Sequence, residues 1–200
     1  MEIESRTLAF GEQRMSWLDR LIAYVRQNSI LQELPSQPIV LDLGCGYDGR
    51  LLHSMQDRII RGTGVDLSTD PAAQTDKITL IKGRIDEPLP FPNSSFDLVT
   101  ALAVIEHVER PEVMLAEICR LLKPGGKLLL TTPSKYGKWP LELLARFSLI
   151  SKQEIEDHKR YYDRDSLTKA LKKAGFLQQN IQVRHFGILY LNLFAKAVKN

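Results

Sequence analysis

Residues 39–49, with the sequence IVLDLGCGYDG, decide the fold. Four apolar residues and Asp42 form the first half, and glycines follow at Gly44, Gly46 and Gly49. A short, almost wholly apolar run is typical of a buried parallel strand. Glycines directly after such a strand allow a sharp turn and a close approach of the backbone to a ligand. The stretch therefore predicts a strand, a turn and a helix N-terminus at the ligand-binding edge of an α/β sheet.

The chain from residue 39 to residue 132 alternates between strand patterns and helix patterns. Strands are expected at 39–43, 60–66, 78–81, 96–101 and 127–132, and helices at 50–55 and 111–122. Pro111 suits the first turn of a helix, and Lys123-Pro-Gly-Gly126 is expected to end that helix. This alternation predicts an α/β fold with a doubly wound, mainly parallel sheet and helices on both faces.

The flanking segments have different patterns. An amphipathic helix is expected at 12–28 and a strongly apolar helix at 139–150. Near the end, the pattern predicts a helix capped by Asp163 or Asp165 and ended by Gly175, with an inner stripe of Leu167, Ala170, Leu171 and Ala174. Strands at 177–185 and 188–198, joined at Gly187, are expected to pair antiparallel. We expect one domain, 1–200, divided into an N-terminal helical segment (1–34), a cofactor-binding core (38–133), a substrate lid insertion (134–162) and a final helix with a strand hairpin (163–200).

Length and cysteine usage exclude several classes of protein. The chain has 200 residues, which suits a single domain with one core. Its two cysteines, Cys45 and Cys119, lie in no CxxC or Cys/His cluster, so neither zinc binding nor a disulfide scaffold is expected. The sequence has neither a signal-peptide pattern nor an apolar run of about 20 residues. We therefore expect a soluble, cytoplasmic protein without a metal.

The charge is unevenly distributed along the chain. The net charge is +3, yet residues 135–200 alone carry 13 basic and 6 acidic side chains. These charges are interleaved, which is typical of a solvated surface. The alternative is attraction of an anionic substrate or peripheral contact with an anionic membrane surface. Binding of nucleic acid is not expected, because acids dilute the basic tail and no base-flipping motif is present.

Two carboxylates indicate what the glycine loop binds. Asp66 ends the second predicted strand, 20 residues after Gly46, where a carboxylate can accept two ribose hydroxyls. That spacing also suits a nicotinamide dinucleotide. Asp42, however, comes directly before the loop, where it would repel a pyrophosphate and attract a cationic sulfonium cofactor that carries an ammonium group.

Six motifs together resemble the class I S-adenosylmethionine-dependent methyltransferases, particularly the small-molecule group of ubiquinone and menaquinone biosynthesis. The resemblance covers about residues 40–133 most closely. It implies a seven-stranded Rossmann-like fold, S-adenosylmethionine as the cofactor, S-adenosylhomocysteine as its product, and a small-molecule acceptor. The motifs are VLDLGCG (40–46), GVD (64–66), LPFPNSSFD (89–97), IEHV (105–108), LLKPGG (121–126) and TTP (131–133).

The resemblance also implies roles for individual residues. Asp42 and the backbone of Gly44, Cys45 and Gly46 would hold the methionine part of the cofactor, Asp66 the ribose and Leu67 the adenine. Ala101 and Leu102 would line the methionine end. The loop departs from the family, since Tyr47 and Asp48 put one more residue before Gly49. The family tends to have an acid after the third strand that accepts the adenine amino group. One alignment places Arg84 at that position, and Asp86 takes the role if the loop shifts.

The acceptor side stays open to alternatives. His107 is a candidate general base near the transferred methyl group, or else Glu106 and His107 cap the helix after Pro111. Residues that the resemblance places near the acceptor opening are Trp139, His158, Tyr161 and Tyr162. The apolar helix around Trp139 has three possible roles: it packs in the core, it covers a lipophilic acceptor as a lid, or it contacts a membrane or a second copy of the chain. The protein is therefore expected to be a monomer or a homodimer.

The predicted reaction is methyl transfer to oxygen or carbon of a small, lipophilic or anionic acceptor by direct in-line displacement. The alternatives are a non-catalytic S-adenosylmethionine-binding protein and an NAD-dependent oxidoreductase. Cys45 is interpreted as a small filler beside the loop rather than a catalytic thiol, and His185 as a structural residue.

Overall fold

A single mixed sheet organises the molecule. The computed structural model describes residues 17–137, 159–187 and 191–200. Four helices lie in these ranges: α1 (Trp17–Leu31), α2 (Arg50–Met55), α3 (Pro111–Leu121) and α4 (Arg164–Lys173). The sheet contains seven strands: β1 (Ile39–Leu43), β2 (Arg61–Asp66), β3 (Ile78–Lys82), β4 (Phe96–Leu102), β5 (Leu122–Pro133), β6 (Ile181–Phe186) and β7 (Asn192–Val198).

The strand order is β3-β2-β1-β4-β5-β7-β6. Neighbours from β3 to β5 are parallel, whereas β7 pairs antiparallel with both β5 and β6. This confirms the expected doubly wound sheet with an antiparallel C-terminal hairpin. The chain winds from β1 outwards to β3 and then returns to β4 on the other side of β1. The gap between the carboxyl ends of β1 and β4 is therefore the switch point at which such sheets bind ligands.

Helices cover both faces of the sheet. Successive side chains of a strand point to opposite faces, so each strand contributes residues to both cores. One face carries Leu41 and Leu43 of β1 in a cluster with buried residues of α3 and α4. The other carries Val40 in a cluster with residues of α1 and α2. The molecule is thus a helix–sheet–helix sandwich, as the near-continuous apolar strands indicate. None of the helices in the described ranges has the length and apolar character needed to span a membrane.

Strand β5 is longer than expected. It begins at Leu122 rather than at residue 127, and the Lys123-Pro-Gly-Gly126 segment lies inside it. Phe96 pairs with Leu122, but Leu98 pairs with Lys127, so this segment is a bulge in the register with β4. The motif ends α3, as expected. The expectation that it also separates helix from strand is wrong, because a bulge takes extra residues without ending the strand.

The C-terminal helix α4 is capped by Asp163 rather than by Asp165. Its side chain accepts the N–H of Ser166, and the Ser166 hydroxyl accepts the N–H of Asp163, which forms a reciprocal capping box. Leu167 and Leu171 are fully buried, as the predicted inner stripe requires, and Ala170 and Ala174 pack partly buried against the same cluster.

The terminal elements are shifted from their predicted bounds. Helix α1 extends to Leu31 rather than to residue 28, and residues 1–16 lie outside the described part of the chain. Strand β6 begins at Ile181 rather than at residue 177, because Gln178–Asn180 form a 3₁₀ turn. The helix predicted at 139–150 and the residues Trp139 and His158 lie outside the described residues. The division of the domain into four segments stays a prediction.

Candidate functional site

The glycine loop lies at the switch point between β1 and β4. Gly44 and Gly46 both have positive φ, at 71° and 74°, a conformation that costs other residues energy. A Cβ on Gly44 would lie 2.1 Å from Cγ2 of Val104, whereas a Cβ on Gly46 would meet no heavy atom within 4 Å. Gly44 therefore allows the loops after β1 and β4 to approach closely. The backbone at Gly46 borders open space in which a ligand could lie.

The extra residue that Tyr47 and Asp48 add to the loop is accommodated on its exposed side. Both side chains are exposed, and the carbonyl oxygen of Tyr47 accepts the N–H of Asp70 at 2.8 Å. Gly49 takes a positive φ of 60° as the residue before α2. The extra residue thus forms part of a turn towards the segment after β2, and α2 still begins directly behind the glycines.

Asp66 anchors the loop from the end of β2. Its Oδ2 accepts the N–H of Gly46 at 2.9 Å, and its Oδ1 accepts the N–H of Ser68 at 3.3 Å. Burial raises the pKa of Asp66, and these N–H bonds partly oppose that rise. A carboxylate oxygen has more than one acceptor position, so both oxygens can also accept hydroxyl protons. Leu67 follows directly and is half-buried.

Asp42 is the more buried of the two acids, with 2% of its surface exposed. Its Oδ1 accepts the hydroxyl proton of Thr100 at 2.6 Å, because Asp42 and Thr100 are register partners on β1 and β4. Burial, reinforced by the negative charge of Asp66, raises the pKa of Asp42 from 3.8 to about 7, although the Thr100 hydroxyl favours the charged form. A cationic ligand group beside Asp42 would stabilise its carboxylate.

Cys45 contributes packing and backbone rather than a reactive thiol. Its side chain is buried next to Gly64, where a Cβ would lie 2.6 Å from the Cys45 sulfur. Burial raises the pKa of the Cys45 thiol, and the charges of Asp42 and Asp66 raise it further. The thiol therefore stays protonated, which agrees with its interpretation as a filler.

The loop after β3 brings Arg84 and Asp86 together. Gly83 donates its N–H to the carbonyl oxygen of Asp66 at 2.8 Å, which ties this loop to the end of β2. Asp86 is 4% exposed, and Arg84 donates to both of its carboxylate oxygens at 3.2 and 3.1 Å. Arg84 therefore does not replace an acid at this edge; it holds one in place.

The carboxyl end of β4 closes the other side of the switch point. Ala101 is fully buried beside its register partner Leu43, and Leu102 is half-buried. Ala103, which follows, has a φ of +52° and donates its N–H to the carbonyl oxygen of Thr131 at 2.9 Å. A left-handed conformation costs a non-glycine residue about 1–2 kcal/mol. No sequence signal marks Ala103, since alanine has no preference for this conformation.

Glu106 and His107 lie in the turn after β4. The backbone N–H of His107 donates to the carbonyl oxygen of Val104, and the His107 side chain is partly exposed. The Glu106 carboxylate is fully buried and accepts the Thr132 hydroxyl proton at 3.0 Å. The residue before α3 is Arg110 rather than Glu106 or His107, and the Arg110 side chain makes no capping hydrogen bond to that helix.

The predicted acceptor residues Tyr161 and Tyr162 are placed differently from each other. Tyr162 is buried in the core cluster on the α3 and α4 face, and burial raises the pKa of its phenol. Its carbonyl oxygen accepts the N–H of Lys135 at 2.7 Å, which ties residue 162 to the end of β5. Tyr161 is only half-buried. Of the two, Tyr161 is therefore the better candidate for contact with an acceptor.

Sequence reasoning missed Thr100 and Val104. Thr100 interrupts an apolar strand, and a hydroxyl in such a strand is the signal that could have identified the partner of Asp42. Val104 has no such signal, because its contact with Gly44 depends on the path of the loop. Together the described residues offer two adjacent acids, glycine backbone N–H groups and open space beside Gly46. This donor set fits a ligand with a cationic amino acid end and a ribose.

Comparisons with known proteins agree with this arrangement. A family model described as a methyltransferase domain matches residues 10–179. The ubiquinone biosynthesis O-methyltransferase of Idiomarina loihiensis is 35% identical over 147 residues, which cover 68% of this chain and 60% of that protein. The same-named protein of Aeromonas salmonicida is 27% identical over 161 residues, covering 75% of this chain and 67% of that protein.

The fold has a close counterpart among solved structures. A SAM-dependent methyltransferase of Thermotoga maritima superposes with a TM-score of 0.68 at 20% identity, covering 90% of each chain. This chain spans between about half and two thirds of the length of the curated relatives. The sheet order, the glycine loop with its two acids and the family match lead to one conclusion: the chain belongs to the class I S-adenosylmethionine-dependent methyltransferases.

Proposed function

We propose that this protein transfers the methyl group of S-adenosylmethionine to an oxygen atom of a small-molecule acceptor by direct in-line displacement. The observation that carries the proposal is the pair of acids at neighbouring strand ends, the buried Asp42 and the half-buried Asp66, on either side of the glycine loop. Transfer to oxygen is supported by the curated relatives, which are named O-methyltransferases. Transfer to carbon is the second candidate from the sequence, and no described residue favours it.

The residues of the switch point would divide the cofactor between them. Asp42 would face the ammonium end, and the backbone around Gly46 would border the methionine part. Asp66 would accept the ribose hydroxyls, Leu67 would contact the adenine, and the Asp86 carboxylate held by Arg84 would accept its amino group. Ala101 and Leu102 would line the methionine end from β4.

The chain's own contribution to the reaction is positioning. When bound, S-adenosylmethionine supplies an activated methyl group on a cationic sulfur that leaves as a neutral thioether. Rigid placement of an acceptor over the carboxyl ends of β4 and β5 can lower the activation free energy by about 7–11 kcal/mol. Two tethers keep the turn after β4 rigid: the Ala103 N–H bond to Thr131 and the buried Glu106 bond to Thr132.

His107 is proposed as the base that takes the acceptor's proton. Histidine titrates near neutrality, and His107 lies in the turn that Glu106 fixes, with its side chain partly exposed. A base matters most for an acceptor that is weakly acidic, because an acidic phenol already ionises without help.

Methyl transfer from labelled S-adenosylmethionine to phenols and amines tests this function. We expect phenols to be methylated and amines of similar size to be left unlabelled. In the His107→Gln variant, weakly acidic phenols should lose about 10²–10⁴-fold in rate, and strongly acidic phenols much less. A uniform loss across the phenols would assign His107 to positioning, and labelling of amines alone would contradict transfer to oxygen.

The Asp66→Ala substitution should weaken binding of S-adenosylmethionine by about 1.5–3 kcal/mol, because hydrogen bonds to a charged group are lost. Titration calorimetry of both proteins measures the difference. Asp48→Ala is the matched control, since Asp48 is an exposed acid of the same loop that pairs with Arg50. Equal affinities of the Asp66→Ala variant and the wild type would remove Asp66 from the site.

A further inference from the structure

A second concave surface lies between α4 and β6, away from the glycine loop. It has a volume of about 620 Å³, within the range of small-molecule sites. Ile181 and Val183, alternate residues of β6, line it from the sheet, and Lys169 and Lys172 line it from α4. Lys135, Tyr136 and residues 163–165 line the same surface, and we call the whole the basic groove.

The basic groove carries an excess of positive charge. Its cations are Lys135, Arg164, Lys169 and Lys172, and its acids are Asp163 and Asp165. Lys135 forms an ion pair with Asp163 at 2.5 Å, and Asp163 is further occupied by the cap of α4. Within the described ranges, no ion pair is formed by Arg164, Lys169 or Lys172. Three cations therefore share one concavity with a single acid that has no ion pair, Asp165.

An exposed aromatic ring borders the same groove. Tyr136 is 64% exposed, and its ring centre lies 6.0 Å from that of His185. The ammonium group of Lys135 lies 5.3 Å from the centre of the Tyr136 ring. A ligand in the groove would thus find an apolar floor, a ring on which a planar group can stack, and several ammonium groups at its rim.

We propose that the basic groove binds a soluble, phosphate-bearing small molecule. A phosphate group carries up to two negative charges and three acceptor oxygens. It can therefore pair with several lysines at once, which a ligand with a single carboxylate cannot do as well. The volume suits one small molecule. This site is separate from the cofactor site, and the proposal does not depend on methyl transfer.

Titration of the whole protein with inorganic pyrophosphate at low ionic strength, followed by NMR amide shifts, tests the proposal. We expect saturable binding with the shifts centred on α4 and β6, weakened by added salt. Lys169→Gln and Lys172→Gln should each weaken the affinity about two- to fivefold, the size expected for an exposed ion pair. Asp165→Asn should strengthen it by a similar factor, because it removes a negative charge from the groove.

Lys173→Gln is the matched control. Lys173 adjoins Lys172 in the last turn of α4 and is equally exposed, but it does not line the groove. Unchanged affinity in Lys173→Gln supports a built site. A loss equal to that of Lys172→Gln would overturn it in favour of general attraction by the helix charge. Absence of saturable pyrophosphate binding would also overturn it, as would binding to phosphatidylglycerol vesicles without affinity for free pyrophosphate.

Discussion

The affinity for S-adenosylmethionine is expected to increase more than about tenfold between pH 5.5 and pH 7. In the proposed site, Asp42 must be ionised to attract the cofactor's ammonium group, and burial raises the pKa of this acid to about 7 in the protein alone. Each pH unit below that pKa therefore lowers the affinity by about tenfold. The range stays below the usual pKa of an α-amino group, about 7.7–8.0, so the ligand keeps its charge. Calorimetry at several pH values measures the dependence.

Two variants separate the titration of Asp42 from that of any other group. Asp42→Asn should bind weakly, and whatever pH dependence remains in it belongs to other groups. Thr100→Val should move the rise in affinity to higher pH, because it removes the hydroxyl that stabilises the Asp42 carboxylate. A pH dependence that is the same in Asp42→Asn and in the wild type would show that Asp42 is not the titrating group.

The same titration should appear in the stability of the unliganded protein. Because the folded protein holds the proton of Asp42 more tightly than the unfolded chain does, this group's contribution to stability falls as the pH rises from about 4 to about 7. Relative to Asp42→Asn, the wild type should lose about 2–3 kcal/mol between pH 5 and pH 8. Urea unfolding of both proteins measures the difference, and a constant difference would contradict the raised pKa.

Local patterns predicted the sheet well, because buried parallel strands are short apolar runs separated by glycine, proline and polar loop residues. Strand β1 and helix α2 lie where residues 39–43 and 50–55 place them. The bulge in β5 was not predictable in this way. Lys123-Pro-Gly-Gly126 is a helix stop by composition, and only its pairing with β4 shows that the strand has already begun.

The candidate site was predicted less completely than the fold, because motifs identify residues but not their partners. Asp42 and Asp66 follow from the strand ends and the glycines. The hydroxyl of Thr100 reaches Asp42 only because β1 and β4 are neighbours in one register. Arg84 was interpreted as a departure from the family, yet its position two residues before Asp86 lets it hold that carboxylate. Such contacts depend on tertiary geometry.

Gly44→Ala is expected to destabilise the unliganded protein by about 2–5 kcal/mol. The positive φ of Gly44 costs an alanine about 1–2 kcal/mol. The added Cβ would also lie 2.1 Å from Cγ2 of Val104, and overpacking of this kind costs about 1–3 kcal/mol more. For a chain of this length, the melting temperature should fall by roughly 10 °C. Thermal and urea unfolding without cofactor measure the loss.

Gly46→Ala is the matched control, because Gly46 has nearly the same φ but no heavy atom within 4 Å of an added Cβ. It should lose only the conformational cost, so the difference between the two variants isolates the contact with Val104. Val104→Ala should accordingly restore part of the stability of Gly44→Ala and none of that of Gly46→Ala, a non-additivity that a double-mutant cycle detects. Equal losses in the two glycine variants, or strict additivity with Val104→Ala, would mean that the loops after β1 and β4 do not meet at Gly44. The close approach that shapes the candidate site would then have to arise elsewhere.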